Sequence, residues 1–320
     1  MSFKKRFLLI QQVMLSRYAP VGGQAVIEGV MMRSPRMVAT AVQSSDGEIE
    51  LKVDPFVSIT KKFKVLGLPI LRGVVGMVET LALGMRCLNY SADIAAKEED
   101  IKEGKDPEES KGMNSWAMGL TMFFSFAMGL GLFFYLPLKI TEWTGVQGTI
   151  GFNLVDGAIR LTIFLLYLYL VSLWGEMRRL FQYHGAEHKV IHTFEAGLDI
   201  NAENAKPFTT LHPRCGTSFL FSIMILSIGV FMFFGHPETL GDRLLRFAGV
   251  PLIAGLGFEF IRFSGKHADN KIVHFLSIPG LWLQRVTTKE PDMAQLAVAC
   301  SALNSVLPLT EEDEDDVRMM

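Results

Sequence analysis

The segment Trp116-Ala-Met-Gly-Leu-Thr-Met-Phe-Phe-Ser-Phe-Ala-Met-Gly-Leu-Gly-Leu-Phe-Phe-Tyr-Leu-Pro-Leu138 carries no charged side chain. A membrane-spanning helix needs about 20 consecutive, mostly apolar residues, so this segment is long enough to cross a bilayer. Hydrophobic residues make up 49% of the chain, which contains 24 Phe and 17 Met, and they are concentrated in such runs. The sequence therefore predicts a membrane protein rather than a soluble domain.

Three later apolar runs are predicted to span the membrane as well: Leu161–Trp174, which extends back to Val155 if Arg160 snorkels, Ser218–Phe234 and Phe247–Phe263. With the first run they predict a mainly α membrane protein with about four transmembrane helices. We expect the helix of the second run to continue without a break through His184.

Positively charged residues indicate the orientation of these helices. Lys and Arg are concentrated before residue 65, at 97–112, at 175–216 and after residue 262. Because positive charge is retained inside the cell, we predict a multi-pass protein of the inner (plasma) membrane with both termini cytoplasmic. Three scattered cysteines fit that compartment, and Phe7–Ile10 is too short for the apolar core of a signal peptide.

Net charge and composition also limit the partners. A formal net charge of −2 argues against a nucleic-acid binder. The expected partners are the lipid bilayer and either a cytoplasmic protein or a second copy of the chain.

The apolar stretch at 65–96 differs from the other runs, because Arg72, Glu79 and Arg86 recur in it at seven-residue spacing. Two helical turns return such residues to nearly the same face. The stretch therefore predicts a re-entrant or interfacial helix with one charged stripe facing protein or headgroups, and a solvated or snorkelling stripe is the alternative.

The remaining segments follow from composition and local pattern. Ile49, Leu51 and Val53 alternate with charged residues after the turn Ser45-Asp46-Gly47, which predicts a β-hairpin. The predicted organisation is a basic amphipathic surface helix at 1–18, a β-rich cytoplasmic element at 19–64, a charged linker at 97–114, a four-span domain at 115–263 with a metal-site insertion at 178–216, a cytoplasmic segment at 264–305 and an acidic disordered tail at 306–320.

A metal-binding pattern lies in the run Tyr183-His-Gly-Ala-Glu-His-Lys189. Histidines four residues apart share one helical face at a separation of about 6 Å, so both can bind one ion. A His-x-x-Glu-His run is found in one class of zinc hydrolases, with the glutamate as general base. We therefore predict His184 and His188 as metal ligands and Glu187 as catalytic base. His192 would lie about 12 Å from His184 and is expected outside the site.

Two further ligands are predicted in the run Leu211-His-Pro-Arg-Cys-Gly-Thr217. Zinc knuckles form a tight turn from a ligand, a proline, any residue, a cysteine and a glycine, and His212 occupies the place of the first ligand. His184, His188, His212 and Cys215 would then bind Zn²⁺ tetrahedrally. The alternative interpretation of each run alone is a helix with scattered histidines followed by a proline turn.

Four runs together resemble the YqhQ-like family of bacterial multipass membrane proteins: 22–33 (Gly-Gly-Gln-Ala-Val-Ile-Glu-Gly-Val-Met-Met-Arg), 183–189, 211–219 and 279–285 (Pro-Gly-Leu-Trp-Leu-Gln-Arg). Members of this family have no known function and are described as predicted metal-dependent enzymes. The resemblance implies additional site residues at Gln24, Glu28 and Arg33.

Three functions remain open at this point. The first is a zinc-dependent, hydrolase-like enzyme at the cytoplasmic membrane face with Glu187 as general base. The second is a non-catalytic scaffold or assembly factor whose structural zinc site has four protein ligands and no water. The third is a transporter that uses Arg160, Glu259 and the charged stripe. Glu259 is also a candidate metal ligand, or the ion-pair partner of Arg262.

Overall fold

The computed structural model describes residues 21–102, 115–213, 215–266 and 270–307. The predicted surface helix at 1–18, most of the linker and nearly all of the acidic tail lie outside these residues. The described residues form strands β1 (Gly22–Val26), β2 (Gly29–Arg33), β3 (Met37–Gln43) and β4 (Ile49–Pro55). The longer helices up to the histidine run are α1 (Leu71–Lys102), α2 (Ser115–Leu130), α3 (Leu136–Trp143), α4 (Thr149–Ser172) and α5 (Gly175–Glu195). Those after it are α6 (Gly216–Phe233), α7 (Leu240–Ala248), α8 (Val250–Lys266), α9 (Lys271–Thr287) and α10 (Met293–Val306).

The N-terminal strands form one antiparallel sheet in the order β1-β2-β3-β4. Strands β3 and β4 pair from Gln43–Ile49 to Met37–Pro55 and are joined through the predicted turn, where Gly47 has a φ of 89°. Glycine adopts this left-handed conformation at little cost, which explains its place in the hairpin. The predictions of a mainly helical protein and of a small β-rich N-terminal element are confirmed.

Both faces of the sheet pack against helices at β1 to β3, because the chain returns to the sheet from distant segments. Helices α5 and α10 cover one face, and α1 covers the other. The first interface contains fully buried side chains from all three layers, among them Val30, Met32, Tyr183, Val190, Leu296 and Leu303. The predicted metal-site helix is therefore part of the same packed unit as the N-terminal sheet and the C-terminal helix.

The charged stripe of α1 faces protein groups. Arg72 forms two hydrogen bonds with Glu259 of α8. Glu79 accepts a hydrogen bond of 2.8 Å from the Ser58 hydroxyl, and Arg86 lies 3.3 Å from the Asp54 carboxylate. All three residues of the stripe therefore contact other elements, Arg72 and Arg86 through ion pairs and Glu79 through a hydrogen bond.

Among the described residues, two stretches are long and apolar enough to cross a membrane. The first, Gly119–Trp143, includes α2 from Gly119 onward, a π-helical segment at Gly131–Tyr135, and α3, and the second is α4. The most apolar 18-residue window of the first stretch contains no buried residue. A core helix of a soluble protein would bury such a surface, so its exposure indicates membrane association.

The prediction of four spanning helices is not confirmed. Helix α6, Gly216–Phe233, is apolar and 18 residues long, at the lower end of the range for a spanning helix, but it is not one of the two candidate spans found among the described residues. The predicted span Phe247–Phe263 is divided at Gly249 between α7 and α8. The expected continuous helix from the second span to the histidines is also wrong, because Trp174 is extended and separates α4 from α5.

The packing of α10 on the sheet can be tested by truncating a buried side chain. Leu303→Ala should lower the free energy of unfolding by about 2–5 kcal/mol, because Leu303 is completely buried and its removal leaves a cavity. Thermal melting of the purified protein in detergent measures the effect. Leu51→Ala in β4, where the side chain is 42% exposed, is the control and should leave the melting temperature nearly unchanged.

Candidate functional site

Helix α5 brings three histidines to one face, at His184, His188 and His192. The ring centroids of His184 and His188 are 4.5 Å apart. Gly185 allows the end of α9 to approach this helix, since a Cβ atom there would lie 2.1 Å from the Lys289 carbonyl oxygen. The glycine inside the histidine run therefore has a packing role that any side chain would disrupt.

The first candidate metal group consists of His184, His188 and Cys215. One donor atom from each lies within 4.8 Å of the other two. The His184 Nε2 and Cys215 Sγ atoms are 3.1 Å apart. Cys215 is the N-cap residue of α6, so the first turn of that helix holds the sulfur beside α5.

Backbone carbonyls orient both imidazoles of this group. His184 Nδ1 lies 2.8 Å from the Thr287 carbonyl oxygen, and His188 Nδ1 lies 2.5 Å from that of Thr210. Because a carbonyl oxygen can only accept, each Nδ1 carries the hydrogen and donates it. Each Nε2 is then left with its lone pair, which is the arrangement found around metal-binding histidines.

The surroundings of His188 and Cys215 favour the protonation states in which these side chains bind a metal ion. Burial lowers the pKa of His188, which keeps its imidazole neutral. Burial opposes ionisation of Cys215, but the neighbouring His188 imidazole and the Thr217 hydroxyl and N–H outweigh it and lower the pKa of the thiol. Neutral imidazole and thiolate are the forms that bind a metal ion.

Glu187 lies next to this group and is buried. Burial raises the pKa of its carboxyl group to about 7. Its Oε2 atom has no hydrogen-bond partner among the described residues. Gly23 of β1 packs against Glu187, and a Cβ atom added at Gly23 would lie 3.0 Å from the Glu187 carboxyl carbon. The close approach of this glycine places the N-terminal sheet beside the predicted catalytic base.

A cavity of about 380 Å³ opens beside the group. His184, Glu187 and Cys215 line it from one side. Its other walls are mainly apolar and come from β1, α1, α5 and α6, including Gln24, Thr80, Leu180, Phe181 and Leu220. A small molecule in this cavity would therefore contact two of the three donors and the carboxylate.

The structure assigns His212 to a different group. His212, His192 and Glu195 each offer a donor atom within 4.8 Å of the other two. The ring centroid of His212 is 4.7 Å from that of His192 and 5.6 Å from that of His188. The four predicted ligands are thus divided between two adjacent groups. In the sequence, His192 follows His188 by four residues, and Glu195 follows His192 by three. This helical spacing was the signal for the second group.

Gln284 of α9 fixes the backbone of His212. Its side-chain oxygen accepts a hydrogen bond of 2.8 Å from the His212 N–H, and its side-chain N–H donates one of 2.8 Å to the His212 carbonyl. Gln284 is completely buried and lies in the fourth sequence run, 279–285. That run therefore supports the turn that carries His212 and Cys215.

Comparison with known proteins agrees with the resemblance seen in the sequence. The family described as a protein of unknown function (DUF1385) matches residues 68–309. This chain belongs to that family. It is 34% identical over 315 residues to the uncharacterized protein YqhQ of Bacillus subtilis (strain 168), an alignment that covers 92% of this chain and 94% of that protein. No solved structure matches the chain.

The other predicted site residues of this DUF1385 chain have separate positions. Gln24 lines the cavity and packs against Gly84 of α1. Glu28, with a φ of 50°, forms an ion pair with Arg179 of α5. The Arg33 guanidinium lies 3.9 Å from the centroid of the Phe56 ring, and burial lowers its pKa. Glu259, paired with Arg72, is in neither histidine group.

The close contact at Gly185 generates a prediction for the DUF1385 chain. Gly185→Ala should destabilise the protein, because the added methyl group meets the Lys289 carbonyl and must push the end of α9 from α5. Thermal melting should show a clear decrease. Gly175→Ala is the matched control on the same helix, since nothing lies within 4 Å of its added Cβ atom. Equal melting temperatures for both variants would contradict the packing described.

Proposed function

We propose that this chain is a membrane-associated, metal-dependent hydrolase whose zinc ion is held by His184, His188 and Cys215, with Glu187 as general base. The observation that carries the proposal is the convergence of these three donors, two of which, His184 and Cys215, line one cavity together with the Glu187 carboxylate.

The number of ligands supports catalysis over a purely structural metal site. Catalytic zinc sites combine three protein ligands with an open position, whereas structural sites use four protein ligands. The first group offers three donors, and His212 belongs to the second group. A fourth coordination position can then face the cavity.

Each residue has a chemical role in this proposal. His184 and His188 would present Nε2 lone pairs held in place by the Thr287 and Thr210 carbonyls, and Cys215 would supply a thiolate. A zinc ion bound there would supply Lewis acidity towards a carbonyl or phosphoryl oxygen and lower the pKa of coordinated water. Glu187 would accept the proton that the water loses and return it to the leaving group.

The cavity walls favour a substrate with an apolar portion. Leu180, Phe181 and Leu220 line the cavity together with the polar groups. Leu220 belongs to the apolar helix α6, so the cavity adjoins the helices that we assign to the membrane. We propose that an amphiphilic ester, amide or phosphoester enters with its polar end towards Cys215.

We propose a multi-pass inner-membrane topology with the metal group on the cytoplasmic side. The sheet precedes both candidate spans, α5 follows them, and the two pack together. Because an even number of crossings is needed for that contact, both candidate spans can cross the membrane. Helix α10 also packs with α5, so α6 and α8 must either both cross or both remain on one side.

Exposed Phe63, Val65 and Leu68, next to lysines, would contact the membrane surface.

The transporter hypothesis has less support. Its proposed pathway residues are engaged in protein contacts: Arg72 with Glu259, Arg86 with Asp54, and Arg160 with Asp156 at 2.6 Å. These pairs explain the charged residues near the apolar helices without a conduction pathway.

The proposed chemistry is tested by Glu187→Gln in purified, zinc-loaded protein. The variant should keep its bound zinc and its melting temperature, because Glu187 is not among the three proposed ligands. Its hydrolysis of para-nitrophenyl carboxyl esters or of bis-para-nitrophenyl phosphate should fall by about 100-fold or more, since proton transfer contributes that much. Zinc content, melting temperature and initial rates are the measurements.

Two further variants make the test specific. Cys215→Ser should lose both the zinc at this group and the hydrolysis, while Glu176→Gln, an exposed carboxylate on the same helix, should change neither. Wild-type hydrolysis that persists in Glu187→Gln would contradict the role of the base. Stoichiometric zinc with no hydrolysis of any probe would favour the structural scaffold.

A further inference from the structure

We propose that this chain forms a dimer in which strand β4 pairs, antiparallel, with β4 of a second copy, with Leu51 at the centre of the pairing. The pairing involves neither the metal group nor the proposed hydrolysis. Three observations support it: the direction of the backbone groups of β4, the exposure of its apolar side chains, and a charge pattern that is complementary to itself.

The backbone of β4 has an edge that is left for a further strand. Strand β4 ends the order of the sheet, so among the described residues β3 is its one strand neighbour. The Glu48 carbonyl and the Phe56 N–H both form hydrogen bonds back across the β3–β4 hairpin, and the register between them is continuous. Backbone groups of an antiparallel strand point alternately to its two sides. The even-numbered residues therefore bond to β3, and Ile49, Leu51 and Val53 direct their N–H and C=O groups outward.

The same three residues carry exposed apolar side chains. Ile49, Leu51 and Val53 are 37%, 42% and 40% exposed. Leu51 and Val53 are the register partners of Ala41 and Ala39 of β3, which are completely buried in the core with α10. The apolar row of β4 thus extends this face of the sheet beyond its buried part. An apolar edge strand with unpaired backbone groups is a template for another strand, so β4 is suited to pair with a second chain.

Symmetry limits the register of such a pair. With Leu51 of one copy opposite Leu51 of the other, Ile49 lies opposite Val53, and outward-facing backbone groups meet along the whole strand. A register centred on Val53 would place Pro55, which has no N–H, opposite Leu51. The register centred on Leu51 therefore uses the N–H and C=O groups of all three outward-facing residues. These backbone bonds supply the affinity, and the side chains select the register.

The charges on β4 select the same register. Glu50 of each copy would face Lys52 of the other, which gives two pairs of opposite charge. A register centred two residues earlier would instead oppose Glu48 and Glu50, whose like charges repel. In the proposed register Glu48 faces Asp54 at the two ends, and Arg86, 3.3 Å from the Asp54 carboxylate, offsets that repulsion. A strand whose charges are complementary to its own sequence suits a second copy of this chain as the partner.

Disulfide trapping of the full-length protein in membranes tests the register. Leu51→Cys should give a covalent dimer on mild oxidation, because the two Leu51 Cα atoms would lie about 5.5 Å apart, within the range of a disulfide. Ile49→Cys is the matched control on the same strand and face, and its two copies would lie about 14 Å apart, since four residues of strand separate them. The native cysteines Cys87, Cys215 and Cys300 are buried, and the wild type gives the background. No dimer from Leu51→Cys, or equal dimer from both variants, would overturn the pairing.

Charge exchange gives a second, independent test, with the dimer measured by light scattering of the purified protein in detergent. Glu50→Lys and Lys52→Glu each bring like charges together and should each weaken the dimer by about 10-fold or more. A mixture of the two single variants, each with a different affinity tag, should form a heterodimer, because every pair between Glu50 and Lys52 positions then joins opposite charges. Melting temperatures establish that both variants are folded. Folded variants that associate no better when mixed than alone would overturn the proposal.

Discussion

The burial of α5 between the N-terminal sheet and α10 is the constraint on which the rest of the structure depends. Val190 and Tyr183 of α5 are completely buried in the same cluster as Val30 of the sheet and Leu303 of α10. Burying such side chains stabilises the unit by about 1.5–3 kcal/mol each, so the separation of α5 from either partner is costly. Because α5 carries the histidines, their positions are set by this core and not by a mobile loop.

The same core determines how the apolar helices can be arranged. If the apolar helices cross the membrane, the contacts of the sheet with α5, and of α5 with α10, require the chain to return to one side after each group of them. The membrane helices would thus form an insertion in a packed unit whose sheet, metal-site helix and C-terminal helix come from distant parts of the chain. That arrangement brings Gly23, from one end of the chain, against Glu187.

Local patterns in the sequence predicted several elements correctly. The turn at Gly47, the alternation around Leu51 and the spacing of His184 and His188 are properties of short segments, and each has the expected secondary structure. The partners of Glu259 and His212 could not be predicted in this way. Glu259 pairs with Arg72 across 187 residues, and His212 is directed to His192 by Gln284 and by the 197–211 connection. Such contacts depend on tertiary packing, which single-segment patterns do not contain.

The predicted number of four spanning helices is not confirmed, because composition alone does not show where a helix ends. Among the described residues two stretches, Gly119–Trp143 and α4, are long and apolar enough to span. The predicted fourth run is divided at Gly249 between α7 and α8.

X-ray absorption at the zinc edge of the purified protein loaded with one equivalent of zinc tests the three-ligand site most directly. The account predicts one sulfur at about 2.3 Å, two imidazole nitrogens at about 2.0–2.1 Å and one further light atom that is not from imidazole. A spectrum without sulfur, or one with a third imidazole in the coordination shell, would contradict it.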